Sequence, residues 1–239
     1  MARVILQWLT MALLAAVMAS SATAQHPLIL AKLKGWNDAA PAPPSAMLNA
    51  EVMKTAIAVQ GRNGGCLPTS AVIDRLQPAT AERYIFNGLI RGQIRNGWTE
   101  IVRHPNCGPE VTRYMTMQQT DGTLNTVRVN RGVSYAHDSL IGDTVPLASL
   151  AADQSLRKAG AGCEVSKPGT LGVIRIASED PGLGPDIYGV RYAGGWSEIW
   201  PVSLCGRTVE VLVHFLADGD GGAYTDIKDE AAKLLPSVK

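Results

Sequence analysis

One short pattern that occurs twice constrains the fold of this chain more than any other feature. In each copy, a glycine, a tryptophan, a variable position, a glutamate and an isoleucine precede a Cys-Gly pair, whose cysteine follows the tryptophan by nine residues. The copies are Gly97-Trp98-Thr99-Glu100-Ile101 with Cys107-Gly108, and Gly195-Trp196-Ser197-Glu198-Ile199 with Cys205-Gly206. Because chance rarely preserves these residue types in register, the pattern predicts a tandem duplication.

The residues around the two copies predict the same order of elements. Apolar residues at helical spacing predict a helix over 45–60, and another from Pro146 to the stop at Gly160. Asn96-Gly97 and Gly194-Gly195 suit type I′ turns, so a hairpin is predicted to enter each tryptophan strand. The other strands are predicted over 87–94, 110–119 and 124–129, and over 186–192, 208–217 and 223–227. The predicted fold class is α+β: a tandem duplication of a helix plus a four-stranded antiparallel meander.

The four cysteines follow the same duplication. Cys66 and Cys107 are 41 positions apart, and Cys163 and Cys205 are 42 positions apart. Four cysteines allow three connectivities, and the duplication favours one disulfide within each unit. A metal site is not supported, because the chain has no Cys-x-x-Cys pair and its histidines are scattered. We therefore expect neither a metal nor another cofactor.

Residues 1–24 are typical of a secretory signal peptide. They contain one charged residue, Arg3, then an apolar stretch, then small residues ending in Ala22-Thr23-Ala24. No later apolar run reaches the roughly 20 residues that cross a bilayer, so no transmembrane segment is expected in the mature chain. We expect the mature protein in the periplasm or in the medium.

The mature chain divides into four predicted segments. Residues 25–44 are rich in proline and alanine and predict a strap over the first unit, anchored by Trp36. The first unit is predicted over 45–130 and a linker over 131–146. The second unit is predicted over 147–239, with a C-terminal helix over 228–235.

Charge differs between the two halves of the mature chain. Residues 25–145 carry 12 Lys and Arg against 9 Asp and Glu, whereas residues 146–239 carry 9 against 12. The halves are therefore expected to dock on each other or to face different partners. Neither excess is large or clustered enough to indicate nucleic acid or an anionic membrane as a partner.

The tryptophan strands carry the candidate binding residues. Alternation along a strand places Trp98 and Glu100 on one face of the first unit, and places Trp196, Glu198 and Trp200 on the matching face of the second. A carboxylate between aromatic rings could hold a sugar, a peptide or a cationic group, and His214 lies on the next strand. The alternative is that the tryptophans pack under the helix or over the disulfide, and that each glutamate pairs with an arginine or with His214.

Two further stretches contain residues used in chemistry but have better structural explanations. The acidic segment 218–222 lacks the oxygen ligands that a calcium loop needs, and is interpreted as a hairpin turn. His137-Asp138-Ser139 contains the residue types of nucleophilic catalysis. Triad members meet in space rather than as neighbours in sequence, so a polar linker is the favoured interpretation.

These observations favour an exported, disulfide-stabilised, non-enzymatic binding or inhibitor module that holds an envelope protein, peptide or glycan. The alternative is an envelope hydrolase with Glu100 or Glu198 as acid or base, which would require a second acid at a defined separation. A third possibility is a structural component of an envelope assembly.

Overall fold

The computed structural model describes residues 27–63, 66–164, 169–228 and 232–236. The predicted signal peptide lies outside these residues. The described helices are α1 (Pro27–Ala39), α2 (Ser45–Asn63), α3 (Arg83–Ile90) and α4 (Asp138–Lys158), with a 3-10 turn at Pro105–Cys107. The strands of the first half are β1 (Val72–Pro78), β2 (Ile94–Arg103), β3 (Val111–Gln119) and β4 (Leu124–Gly132). Those of the second half are β5 (Thr170–Leu171), β6 (Val173–Glu179), β7 (Asp186–Ile187), β8 (Val190–Arg191), β9 (Gly195–Leu204), β10 (Arg207–Ala217), β11 (Ala223–Asp226) and β12 (Ala232–Leu234).

A mostly antiparallel sheet runs through both halves of the chain. Its strands follow the order β1-β2-β3-β4-β6-β9-β10-β11, with β5 on β9 and β12 on β10. The halves join where β4 and β6 pair in parallel, with Arg131 opposite Val173 and Gly132 opposite Ile174. Gly132 has a φ of +82°, and a Cβ there would lie 2.0 Å from the Ile174 carbonyl oxygen, so this junction requires glycine. The chain is thus an α+β protein with one shared sheet.

In the first half, helices cover both faces of the meander β1-β2-β3-β4. On one face, α2 packs Val52 and Ala56 against Val102 and Tyr114. On the other face, α3 packs its buried residues against β2 and β3. These contacts join Ile85 and Leu89 to Ile94, Met115 and Met117. The central strand β3 is therefore buried on both sides.

The predicted strand over 87–94 and the predicted turn at Asn96-Gly97 are wrong. Residues 83–90 form α3, because Ile85 and Leu89 are spaced to bury one side of a helix. Gly97 lies inside β2, and a Cβ there would lie 2.5 Å from Cδ1 of Ile85. The glycine allows α3 to pack closely on the strand, and the first strand of the meander is instead β1.

The second half has one helix-covered face. Buried residues of α4, including Ala148, Ala152 and Leu156, pack against the inner sides of β9 and β10. Val209, Val211, Val213 and Phe215 occupy alternate positions of β10 and are fully buried. Leu212 and Leu216 are exposed on the opposite face. A single helix thus covers the inner face of this half of the sheet.

Three predicted elements of the second half differ from the structure. Helix α4 begins at Asp138 rather than at Pro146, which lies within it. The segment 186–192 is predicted to pair with β9 across a turn at Gly194-Gly195, but it forms the small β7-β8 hairpin instead. The strand that pairs with β9 on that side is β6. The predicted C-terminal helix is wrong for 232–234, which form β12 and pair with β10.

The N-terminal strap is helical, and its helix α1 lies on the first half. Leu33 is buried, and the ring of Trp36 contacts that of Phe86 edge-on, with a centroid separation of 5.7 Å. Asn37 Nδ2 also donates to the hydroxyl of Thr80 at 3.0 Å. Trp36 is therefore packed against α3.

The disulfide prediction is confirmed. Cys66 is bonded to Cys107 and Cys163 to Cys205, and no described cysteine is free. Each bridge ties the chain after a long helix to the end of a tryptophan strand. None of the described helices is both long and apolar enough to cross a membrane.

Gly97→Ala is expected to destabilise the protein by about 1–3 kcal/mol, because its methyl group would overlap the buried Ile85 side chain. Gly142→Ala in α4 is the matched control, since a Cβ there meets nothing within 4 Å. Urea unfolding of both variants measures the difference. Equal stability of the two variants would contradict the packing of α3 on β2.

Candidate functional site

The tryptophans and glutamates of the duplicated pattern lie in the core. Trp98 and Trp196 are each 2% exposed, and Glu100, Glu198 and Trp200 are fully buried. In the second half α4 covers them, and both indole rings lie against Phe215, at centroid distances of 5.1 Å and 5.9 Å. These side chains do not face solvent, and a binding role for them stays a prediction.

Glu198 is surrounded by hydrogen-bond donors. Its Oε1 accepts from the indole Nε1 of Trp196 at 2.9 Å and from the amide of Tyr135 at 2.7 Å. Its Oε2 accepts from the indole Nε1 of Trp200 at 2.9 Å and from the Ser134 hydroxyl at 2.8 Å. Because a buried carboxylate requires such donors, this network fixes the segment that leads into α4.

Glu100 occupies the same place in the first half without equivalent donors. Neither of its carboxylate oxygens has a hydrogen-bond partner among the described residues. Burial raises the pKa of Glu100 to about 8, and the nearby Thr116 hydroxyl offsets part of this rise. The hydroxyl of Thr116 lies 2.6 Å from the hydroxyl of Thr126, with which it forms its hydrogen bond. Glu100 is therefore protonated at neutral pH.

The sequence explains why the two glutamates differ. Trp200, two residues after Glu198, is replaced by Val102 at the corresponding distance from Glu100, and valine has no donor. The chain that precedes α4 supplies amide N–H groups from 135–136, whereas the chain that precedes α2 over 41–44 contains three prolines, which lack them.

His214 lies away from the buried glutamates. It is on the outer face of β10, and its Nδ1 is 3.1 Å from the hydroxyl of Ser197. The structure therefore does not bring His214 together with Trp196, Glu198 and Trp200, which point to the inner face.

A pocket lies where the two halves and the strap meet, and we name it the junction pocket. Its volume is about 570 Å³, within the range of small-ligand sites. The apolar part of its wall comes from α1, α3, α4 and β11: Ile29, Leu33, Phe86, Leu140 and Ala223. The polar part comes from the ends of α3 and α4, from Tyr192, and from the β10–β11 turn: Arg83, His137, Ser139, Asp143, Asp218 and Asp220.

His137 fixes one wall of the junction pocket. It is the N-cap of α4: its Nδ1 accepts from the Leu140 amide at 3.3 Å and lies 3.0 Å from the Ser139 hydroxyl. Its Nε2, which then carries the proton, donates to the Gly221 carbonyl at 2.9 Å. Burial lowers the pKa of His137, so the ring is neutral and links α4 to the β10–β11 turn.

The β10–β11 turn is the hairpin that the sequence predicts at 218–222. Asp218 Oδ1 accepts from the amides of Asp220 at 2.8 Å and Gly222 at 3.0 Å, which holds the turn closed. No group of three His, Cys, Asp or Glu side chains within the described ranges is arranged to hold a metal ion. The turn instead presents the carboxylates of Asp218 and Asp220 to the pocket.

The junction pocket carries more negative than positive charge. Its lining contains three carboxylates, Asp143, Asp218 and Asp220. Arg83 is the single formal cation of this lining, because His137 is neutral. Burial raises the pKa of Tyr192 to about 12, so this phenol is uncharged. Sequence reasoning identified 137–139 and 218–222 only as structural segments, because their juxtaposition depends on the shared sheet.

Glu100→Gln is expected to remove part of a pH dependence of stability. The folded protein retains a proton on Glu100 up to a pKa of about 8, whereas the unfolded chain releases it near 4.5. The free energy of unfolding therefore falls as pH rises from 4.5 to 8, and it should fall less in the variant. Glu82, whose pKa burial raises to about 7, contributes a slope of the same sign in both proteins. Urea unfolding at the two ends of this interval measures the difference.

Glu198→Gln is the matched substitution with the opposite expectation. The amide nitrogen of glutamine cannot accept from the indole of Trp200 or the amide of Tyr135, so a donor is left unpaired. The variant should lose about 1–3 kcal/mol of stability at both pH values. Identical pH profiles for the two variants would show that Glu100 and Glu198 do not differ as described.

Comparisons with protein-family models, with curated proteins and with solved structures found no match to this chain. The function proposed for it therefore rests on the chemistry of its own residues.

Proposed function

We propose that this chain is an exported, non-enzymatic binding module of the cell envelope, built by tandem duplication and released from the signal peptide at 1–24. Two disulfides support an oxidising compartment, where such bonds form and persist. Both halves have the order long helix, cysteine, tryptophan strand, second cysteine and a hairpin of two further strands, which supports the duplication. The junction pocket is the proposed binding site.

The single observation that carries the proposal is the combination of an apolar wall and an acidic rim in the junction pocket. Leu33, Phe86 and Leu140 provide surface for an aliphatic stem, and Asp143 and Asp220 provide charge at the opening. A basic amino-acid side chain has this composition, since its methylene groups pack on apolar surface while its charged head stays solvated. The ligand is therefore a peptide or protein segment that presents an arginine or a lysine.

The architecture supports binding rather than catalysis. Glu100 and Glu198, the carboxylates expected for a hydrolase, are buried under helices and do not line the junction pocket. His137 uses both ring nitrogens to cap α4 and to hold the β10–β11 turn. The pocket thus offers fixed walls and charge, which suit recognition.

The acetylated and amidated tripeptide Ala-Arg-Ala is expected to bind the junction pocket more tightly than the same peptide with citrulline. Citrulline keeps the shape of arginine but is neutral, so the comparison isolates the charge. Isothermal titration of the mature protein measures both affinities, and higher ionic strength should weaken only the arginine peptide.

Asp143→Asn and Asp220→Asn should each weaken arginine-peptide binding about threefold to tenfold. Asp226→Asn is the matched control, because this exposed aspartate lies on β11 outside the pocket. Asp218 is retained because it closes the turn. Equal affinity for the arginine and citrulline peptides, or equal effects of all three substitutions, would exclude the junction pocket as the proposed site.

A further inference from the structure

A second groove lies at one end of the first half, apart from the junction pocket. It forms where the turn from α3 to β2 meets the turn from β3 to β4, and its volume is about 480 Å³. We name it the amide groove. Its lining is Tyr84, Asn87, Gly88, Arg91, Gln93, Ile94, Met117, Gln119 and Asn125.

The amide groove has a buried apolar floor and an exposed polar rim. Gly88, Ile94 and Met117 form the floor and are buried. The rim carries four side-chain amides and the guanidinium of Arg91, and no carboxylate lines it. Tyr84 stands at the edge with 66% of its surface exposed.

The rim side chains are available to a ligand. The side-chain amides of Asn87, Gln93, Gln119 and Asn125 form no hydrogen bond with another described residue. Each amide offers donors and an acceptor in one plane, so a ligand with adjacent hydroxyl groups could replace the water around them. The groove therefore presents hydrogen-bonding capacity that the fold itself does not use.

Both turns that form the amide groove are held by backbone hydrogen bonds. Helix α3 ends in a Schellman motif. The backbone N–H of Gly92, whose φ is +65°, donates to the carbonyl of Leu89, and the backbone N–H of Gln93 donates to the carbonyl of Gly88. At the other turn, the backbone N–H of Gln119 donates to the carbonyl of Thr123 at 2.8 Å. The backbone that carries the rim is thus held in place before a ligand binds, so only the rim side chains have to be ordered.

We propose that the amide groove binds an oligosaccharide. Tyr84 provides an exposed aromatic face for a sugar ring, and the amides pair with its hydroxyl groups. Arg91 can form a bidentate interaction with a carboxylate, so an acidic sugar is preferred over a neutral one. This site is independent of the junction pocket and does not rest on the function proposed for it.

Titration of the mature protein with trigalacturonate, chitotriose and maltotriose tests the proposal. Trigalacturonate should bind at millimolar concentration or below, and more tightly than either neutral trisaccharide. Tyr84→Ala and Asn87→Ala should each weaken binding about tenfold. Both residues are exposed, so circular dichroism and thermal unfolding should remain unchanged.

Tyr224→Ala is the control, because Tyr224 is 71% exposed but lies on β11 in the second half. Arg91→Gln should weaken trigalacturonate and leave the neutral sugars unchanged. Failure of all three saccharides to bind would overturn the proposal, as would loss of binding in Tyr224→Ala with retention in Tyr84→Ala. Arginine-peptide binding in the same variants reports separately on the junction pocket.

Discussion

Both oxygens of Glu198 accept hydrogen bonds from two indoles on its own strand and from the segment that enters α4. A carboxylate is tolerated in a core only when donors surround it, so strand, segment and helix depend on one another. This segment begins just after Gly132, where β4 pairs with β6 and the two halves of the shared sheet join. His137 follows it and holds the β10–β11 turn. The position of the junction pocket therefore depends on the same buried carboxylate.

Both halves have a long helix, a tryptophan strand and one disulfide in the same order, but they differ in how the sheet is covered. In the first half α3 occupies the second face, and Gly97 provides the space that Ile85 needs. In the second half that face carries exposed Leu212 and Leu216. Glu100 and Glu198 also differ: both oxygens of Glu198 accept hydrogen bonds, whereas those of Glu100 have no partner among the described residues and Val102 stands at the position of Trp200. Under the proposed duplication, the copies have kept their framework and changed its interior chemistry.

Neither candidate site uses the residues that the two copies have in common. The shared tryptophans and glutamates form the core, whereas the junction pocket and the amide groove are built from helix ends and turns. Connecting segments can change without altering the sheet beneath them, so recognition is expected to develop there. The junction pocket has an acidic rim, whereas no carboxylate lines the amide groove, so the two sites suit ligands of different chemistry.

Local sequence was sufficient for features whose cause is local. The spacing of the cysteines in the two copies predicted both disulfides. Gly160, with φ +67°, marked the end of α4, and the segment 218–222 marked a hairpin, because their residues permit the required backbone. Tertiary packing decided the rest. Asn96-Gly97 has the composition of a turn, yet it lies in a strand because Ile85 packs on the glycine. Alternation placed Trp98 and Glu100 on one face, but it was the packing of α2 that buried this face. Both pockets depend on contacts between segments far apart in sequence, which no local pattern records.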